Sequence, residues 1–489
     1  MPEVRLDDTR ISAFVDEAWE REIIPELETY IEIPAKSPAF DADWRANGHI
    51  DEAVAHIEAW CRTREIEDLE VEVVRLEGRT PLIYMEHPGI APYAGGETVL
   101  LYGHLDKQPE MSGWRDGLGP WKPVRENDKL YGRGGADDGY AAYASLTAIE
   151  ALHRFDGKHG RCVILIEGCE ESGSYDLPFY IDALAERIGA PNLVVCLDSG
   201  CGNYDQLWST TSLRGLVSGT LRVDILDEGV HSGDASGIVA SSFRIARQLL
   251  SRIDDEGSGA VRVASANVEI PPERVTQAGV AAQNLGDMVW RKFPFVDGAR
   301  ATGSDLAELI LNRTWRPALS VTGQSGLPNL GDAGNVLRPT TSLALSLRIP
   351  PTARASEIVV DLEKALTEDP PYGARITAEF DTVADGWDAP PLAGWLEAAT
   401  DDASMTYFGK PAVYMGEGGT IPFMGMLGEK FPDAQFLITG LLGPGSNAHG
   451  PNEFLHIPTG KKLTACVAHL LMAHALRSKA AAGSPGDGA

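Results

Sequence analysis

Five separated stretches of the sequence carry side chains able to do chemistry. They are Gly103-His104-Leu105-Asp106, Asp137-Asp138 within GRGGADDG, Glu170-Glu171 within EGCEESGS, Asp198-Ser199-Gly200, and Asn447-Ala448-His449-Gly450. Two imidazoles and several carboxylates form an oxygen and nitrogen donor set suited to a hard-to-borderline divalent cation such as Zn2+ or Mn2+. Without a cation, that many acids sharing one pocket would repel one another until some took up protons. His104 and Asp106 are one residue apart, so in an extended chain both side chains point the same way. Asp106 is then expected to accept the second ring N–H of His104, the support a metal-bound histidine usually has. Glu170 and Glu171 point to opposite sides if extended, one toward the cation and the other toward the water on the substrate side.

Such groups converge only if the chain brings them to one edge. Short, uniformly apolar runs at 99–102, 163–166, 193–197 and 436–439 precede four of the five stretches. Runs of that length bounded by polar loops suit strands buried on both faces of a helix-covered parallel sheet. Open α/β sheets carry their sites beyond the carboxyl ends of the strands. Helical spacing predicts helices over 12–31, with Pro25 the awkward residue, and over 138–155, with Asp137-Asp138 at the start. In the middle of the chain Leu221, Val223 and Ile225, then Leu343 to Ile349, then Ile376, Ala378 and Phe380 alternate with polar residues. That period marks strands with one wet face, and a helix is expected at 237–254. The reading is an α/β fold with a mainly parallel sheet covered by helices, formed by 1–212 and 387–489. An α+β domain, 213–386, is inserted into it, and GWDAPP (386–391) serves as hinge. The segment from 478 onward reads as a mobile tail.

Composition narrows the function classes. The 489 residues suffice for two or three domains. With 42 Lys and Arg against 71 Asp and Glu, the net charge is −29, which disfavours nucleic acid and anionic membrane as partners. No apolar run approaches the ~18 residues of a membrane helix, and MPEVRLDDTR lacks the pattern of a signal peptide. Six scattered cysteines without a CxxC pair fit a reducing cytoplasm. GRGGAD lacks the third glycine of a dinucleotide loop, and no GxSxG supplies a serine nucleophile.

Taken in order, GHLDKQP (103–109), GRGGADD (132–138), EGCEESGS (167–174), DSG (198–200), HSG (231–233) and NAHGPNE (447–453) resemble the dinuclear zinc peptidases. That family includes carnosinase, bacterial dipeptidases, aminoacylase, succinyl-diaminopimelate desuccinylase and glutamate carboxypeptidase. GHLDKQPE, Gly113-Trp114 and GEGGTIP (416–422) are most like its carnosinase-like dipeptidase branch. The resemblance implies one metal held by His104, Asp137 and Asp198, and a second by Glu171, His449 and the shared Asp137. It implies Glu170 as general base and Asp106 as the carboxylate that orients His104. It implies His231 as an oxyanion donor that reaches a partner subunit's site in dimeric members. Asn335 and Arg348 would grip the scissile carbonyl or the substrate's terminal carboxylate, and Thr420 would line the same pocket. The inserted domain would be a lid that makes a homodimer.

The implied reaction is hydrolysis of an amide bond in a dipeptide or similar small peptide by a water shared between two ions, Zn2+ first and Mn2+ or Co2+ as alternatives, about 3.5–4 Å apart. The alternatives are an N-acyl-amino-acid amidohydrolase or carboxypeptidase with the same metals, and a catalytically silent metal-bound scaffold. Family members usually read Asp-Asp-Lys-Gly where this chain runs Asp138-Gly139-Tyr140-Ala141, so the lysine is missing. Where carnosinases carry Arg-Glu, this chain has Gly416-Glu417, one cation fewer. The loop GPGSNAHG is unusually rich in Gly and Pro. Cys169 reads as packing, and histidines 49, 56, 87, 153, 159, 456, 469 and 474 read as structural.

Overall fold

The computed structural model describes residues 6–482. Its chain begins as α1 (Asp8–Ala18), started by the Asp7 carboxylate, which accepts the Arg10 N–H. A π-helical turn, Trp19–Ile23, joins α1 to α2 (Ile24–Glu32). The Ile24 N–H reaches back five residues to the Trp19 carbonyl. This widened turn lets one helical stretch run through Pro25, whose ring would clash in an ordinary α-helix. The stretch is therefore longer than the 12–31 expected.

Next come α3 (His49–Arg62), β1 (Glu70–Val74), β2 (Leu82–His87) and β3 (Thr98–His104). They are followed by α4 (Ala141–Arg154), β4 (Arg161–Glu167), β5 (Pro191–Cys196), β6 (Gln435–Ile438) and α5 (Ile457–Ala482). The six strands form one sheet in the order β1-β2-β4-β3-β5-β6. Strand β3 lies parallel to β4 and β5, and β6 lies parallel to β5, while β2 and β1 close the other side antiparallel. All seven residues of β3 are buried, as expected for a strand covered on both faces. In α4 every residue from Ala141 to Leu152 is buried, so the helix is covered all round where the sequence suggested one stripe. It packs against α1, α5 and β3, and its five alanines among those residues keep it narrow.

The described chain forms two compact units. The first comprises 1–210, 389–414 and 426 onward; the second comprises 211–388 together with Met415–Gly425. In the second unit, Ala318–Ser325, Thr340–Ile349, Gly215–Asp224 and Arg375–Ala384 form an antiparallel sheet in that order. Residues of Thr340–Ile349 alternate between buried and half-buried, the one-wet-face pattern of the sequence. Helices Ser242–Ile253 and Ala355–Thr367 bury Ile245, Leu249, Ile358 and Leu362 in the core with Val217, Leu221 and Leu345. The first of these helices begins at Ser242, later than 237, after an extended Ser241. At the chain's end, 478–482 continue α5 instead of starting a tail, and the remainder of the expected tail lies outside the described residues. No described helix is long and apolar enough to cross a membrane.

Leu101, fully buried in β3, reports on this sheet. Leu101→Ala is expected to cost about 2–5 kcal/mol in denaturant unfolding. A loss below about 1 kcal/mol would contradict burial on both faces.

Candidate metal centre

The carboxyl ends of four parallel strands deliver the chemistry-bearing residues. His104 ends β3, and Glu170-Glu171 follow β4 in a short 3-10 turn, Glu170–Ser172. Asp198 follows β5, and His449 lies in the loop after β6. Asp137 precedes α4, joined by a cis peptide to Asp138.

These residues meet in two groups. In His104, Asp137 and Asp198, and again in Asp137, Glu171 and His449, one potential ligand atom per residue lies within 4.8 Å of the others. Asp137 belongs to both. Its Oδ1 is 3.3 Å from His104 Nε2, and its Oδ2 is 3.0 Å from His449 Nε2. Asp198 Oδ2 lies 3.8 Å and Glu170 Oε2 4.0 Å from His104 Nε2, and Glu171 Oε2 is 3.3 Å from His449 Nε2.

Two local expectations change. Glu170 and Glu171 are not extended, because Asp106 accepts both of their backbone N–H groups, each at 3.0 Å, and folds them into a turn. The ring N–H of His104 goes first to the Asp106 backbone carbonyl at 3.0 Å, with the carboxylate at 3.5 Å. Asp106 thus fixes the histidine through its main chain and the glutamates through its side chain. Gln108 donates to Glu171 Oε2 at 2.6 Å.

A buried ion pair, Arg133 with Glu453, ties the loop before Asp137 to the loop that carries His449. Glu453 also accepts the Gly134 N–H at 2.7 Å, and Arg133 donates to the Gly450 carbonyl at 3.0 Å. The pins matter because His449 itself sits at φ +64°, a left-handed conformation costly for any residue but glycine. Gln108, Arg133 and Glu453 lay inside motifs already recognised, yet nothing in residue type alone distinguished them from surface polar residues.

The electrostatics are those of crowded acids. Burial, then the neighbouring Asp198, holds the Glu170 carboxyl well above its ordinary range, and burial with Asp137 does the same to Glu171. Asp198 is pushed up to about 6 by burial, against the pull of His104. For Asp137 burial also acts upward, but hydrogen bonds from His104 and His449 hold it below its usual range. Both histidines are raised despite burial, by Asp198, Asp106 and Asp137 for His104 and by Asp137 for His449. Glu171 Oε1 is buried with no hydrogen-bond donor among the described residues. A lone pair so placed, two mixed His/carboxylate triads and a shared Asp137 fit a pair of divalent cations.

The remaining predicted residues lie in the second unit. His231 and Asn335 are exposed neighbours: His231 is paired with Val336 across a two-stranded ladder, and the Ser232 N–H donates to the Asn335 carbonyl at 2.9 Å. Arg348 donates to Thr420 Oγ1 at 3.1 Å, and Thr420 in turn donates to the Arg214 carbonyl at 2.6 Å. Around this loop Arg214 donates to the Gly418 carbonyl at 3.3 Å, and Arg313 lies 3.5 Å from Glu417. The acid of the Gly416-Glu417 sequence thus has Arg313 as its cationic neighbour. A side chain at 416 has no room, since its Cβ would lie 2.4 Å from Ser212 Oγ and 3.0 Å from Thr314 Cβ. A Cβ at Gly139 would fall 2.2 Å from the Tyr30 ring. Tyr140 donates its hydroxyl to the Leu197 carbonyl, next to Asp198.

Residues 100–473 match the model of peptidase family M20/M25/M40. The chain is 27% identical over 419 residues to a cysteinylglycine-S-conjugate dipeptidase of Corynebacterium striatum, covering 82% of this chain and 87% of that protein. It is 25% identical over 379 residues to a Cys-Gly metallodipeptidase of Candida albicans, covering 74% and 75% respectively. In fold it is similar to human carnosine dipeptidase 1, with a TM-score of 0.74 at 20% identity over 96% of this chain and 99% of that one.

Asp106→Ala removes the acceptor that sets both glutamates. It is expected to lower metal affinity and kcat/KM by roughly 10–100-fold each, read by metal analysis and steady-state kinetics. Unchanged values in both would remove Asp106 from the site's support.

Proposed function

The chain belongs to peptidase family M20/M25/M40, and from that premise we propose that it is a metal-dependent hydrolase of amide bonds in dipeptides or similar small peptides. The observation that carries the reading is Asp137, which turns one oxygen to His104 and the other to His449. A single carboxylate shared by two donor triads is the arrangement a two-metal hydrolase needs. The dipeptidase names of the relatives support the substrate class.

His104, Asp137 and Asp198 would hold one ion and Glu171, His449 and Asp137 the other, Zn2+ first and Mn2+ or Co2+ as alternatives. Bound there, divalent ions supply Lewis acidity toward a carbonyl and lower the pKa of water. Glu170 does the proton work. Its carboxylate stands 4.0 Å from His104 Nε2 without belonging to either triad, so it is free to take a proton from the attacking water and return it to the departing amine. In the second unit the cationic surround of Arg214, Arg313 and Arg348 suits the free carboxylate of a short peptide, with Thr420 beside Arg348. His231 and Asn335, both exposed, are assigned to the oxyanion and the scissile carbonyl. In this reading the second unit is the lid and the homodimer surface, and the protein is cytoplasmic, in keeping with six free, buried cysteines.

A second reading, N-acyl-amino-acid hydrolysis, uses the same centre and differs in the substrate's free amine. A panel of dipeptides and their N-acetyl forms separates the two. The dipeptides should turn over and the acetylated forms should not, and the reverse pattern would favour the second reading. Activity should vanish on chelation and return with Zn2+, Mn2+ or Co2+; activity that survives complete metal removal would end both readings. Glu170→Gln should keep its metal content while losing about 10²–10⁴-fold in kcat, and near-normal turnover would exclude Glu170 as the base.

A further inference from the structure

Three histidines that the sequence suggested were merely structural come together in the first unit. His87 ends β2, His153 lies in the last turn of α4, and His159 lies in the loop before β4. One potential ligand nitrogen from each lies within 4.8 Å of the others. The imidazole centroids are 4.7, 4.8 and 5.3 Å apart. We propose that His87, His153 and His159 bind a divalent transition-metal ion of the Zn2+ or Cu2+ class, at the end of the sheet opposite the candidate metal centre.

The strand register supplies the separation. His87 pairs with Cys162 and Thr98 with Arg161, at the start of β4, whereas His104 pairs with Glu167 at its finish. From Cys162 to Glu167, five steps of about 3.3 Å put roughly 17 Å of strand between the two places.

The hydrogen bonds orient the donors. His159 Nδ1 donates to the Gly160 carbonyl at 2.7 Å, which leaves Nε2 to accept from His153 Nε2 at 3.1 Å, a donor the ion would displace. His87 Nε2 donates to the Glu67 carbonyl at 2.9 Å, which leaves Nδ1 as the acceptor. A ring N–H fixed on a backbone carbonyl is the usual support of a metal-bound histidine. His87 Nδ1 also takes the Gly89 N–H at 2.9 Å, a donor it would exchange for the ion. His87 and His159 are buried, and the half-buried His153 gives access.

Burial lowers all three imidazoles, His153 to about 4 and His159 to about 3, so protons do not compete for these lone pairs at neutral pH. Lys158 opposes a cation here and Asp68 favours one. Three neutral imidazoles with a fourth position left for water is a recognised Zn2+ donor set. It also suits Cu2+. The ion would clip the end of β2, the end of α4 and the loop into β4.

The test uses full-length protein stripped with chelator, reloaded with Zn2+ and desalted. His153→Gln should retain one equivalent of Zn2+ per chain fewer than wild type, with kcat/KM on a dipeptide unchanged. Wild-type protein loaded with Cu2+ should give an electron paramagnetic resonance spectrum with three coordinated nitrogens. Each triad of the candidate metal centre holds one histidine, so that signal separates the two sites whatever becomes of the catalytic reading and whether or not the variant folds. Equal Zn2+ content in the two proteins, or a Cu2+ spectrum without a three-nitrogen species, would overturn the proposal.

Discussion

A carboxylate withdrawn from water beside other carboxylates must take up a proton or find a positive charge. That constraint governs the carboxyl edge of the central sheet. Asp106, Asp137, Asp138, Glu167, Asp198 and Glu453 are all buried there, and four of them have partners of their own. Arg133 answers Glu453, and the Tyr102 hydroxyl answers Glu167. Asp106 is answered by two main-chain N–H groups and Asp138 by the His104 N–H. Asp137, Glu171 and Asp198 are left facing two imidazoles, with more negative charge than those imidazoles balance. A low-dielectric pocket with unbalanced acids is costly to fold and well prepared for cations.

The scaffolding around this edge divides labour between main chain and side chain. Short parallel strands bring His104, Glu170, Glu171 and Asp198 close together. What strands cannot do is set the last few ångströms, and this is left to loop hydrogen bonds. The Asp106 carboxylate curls the glutamate turn, and Arg133 with Glu453 braces the strained loop at His449. Such bonds act at short range in a water-poor setting, where each is stronger than it would be at the surface.

Much of this was legible in the sequence because burial on two faces leaves a simple imprint. The runs at 99–102 and 163–166 are uninterrupted apolar segments, and they fold as β3 and β4 with the catalytic candidates at their ends. The alternation from Leu343 to Ile349 likewise matches a half-wet strand. Local geometry was less legible. Nothing in adjacent Glu170 and Glu171 announces a turn, since the cause is Asp106, 64 residues away from the first of them. Arg313, the cation beside Glu417, comes from a distant helix and left no trace in the motif. The His87, His153 and His159 cluster escaped notice for the same reason: its members lie on a strand, a helix and a loop, and only the packing of the three joins them.

The pairing of Arg133 with Glu453 spans 320 positions of the chain. At the ribosome's pace of 5–20 residues per second, the arginine emerges roughly 16–64 s before its glutamate. Through that interval the nascent first unit carries its early acids without His449, β6 or α5, while the whole second unit is being made. The second triad is thus completed only after the whole second unit has been made, and a chain cut short before 449 lacks one of that triad's three candidate ligands.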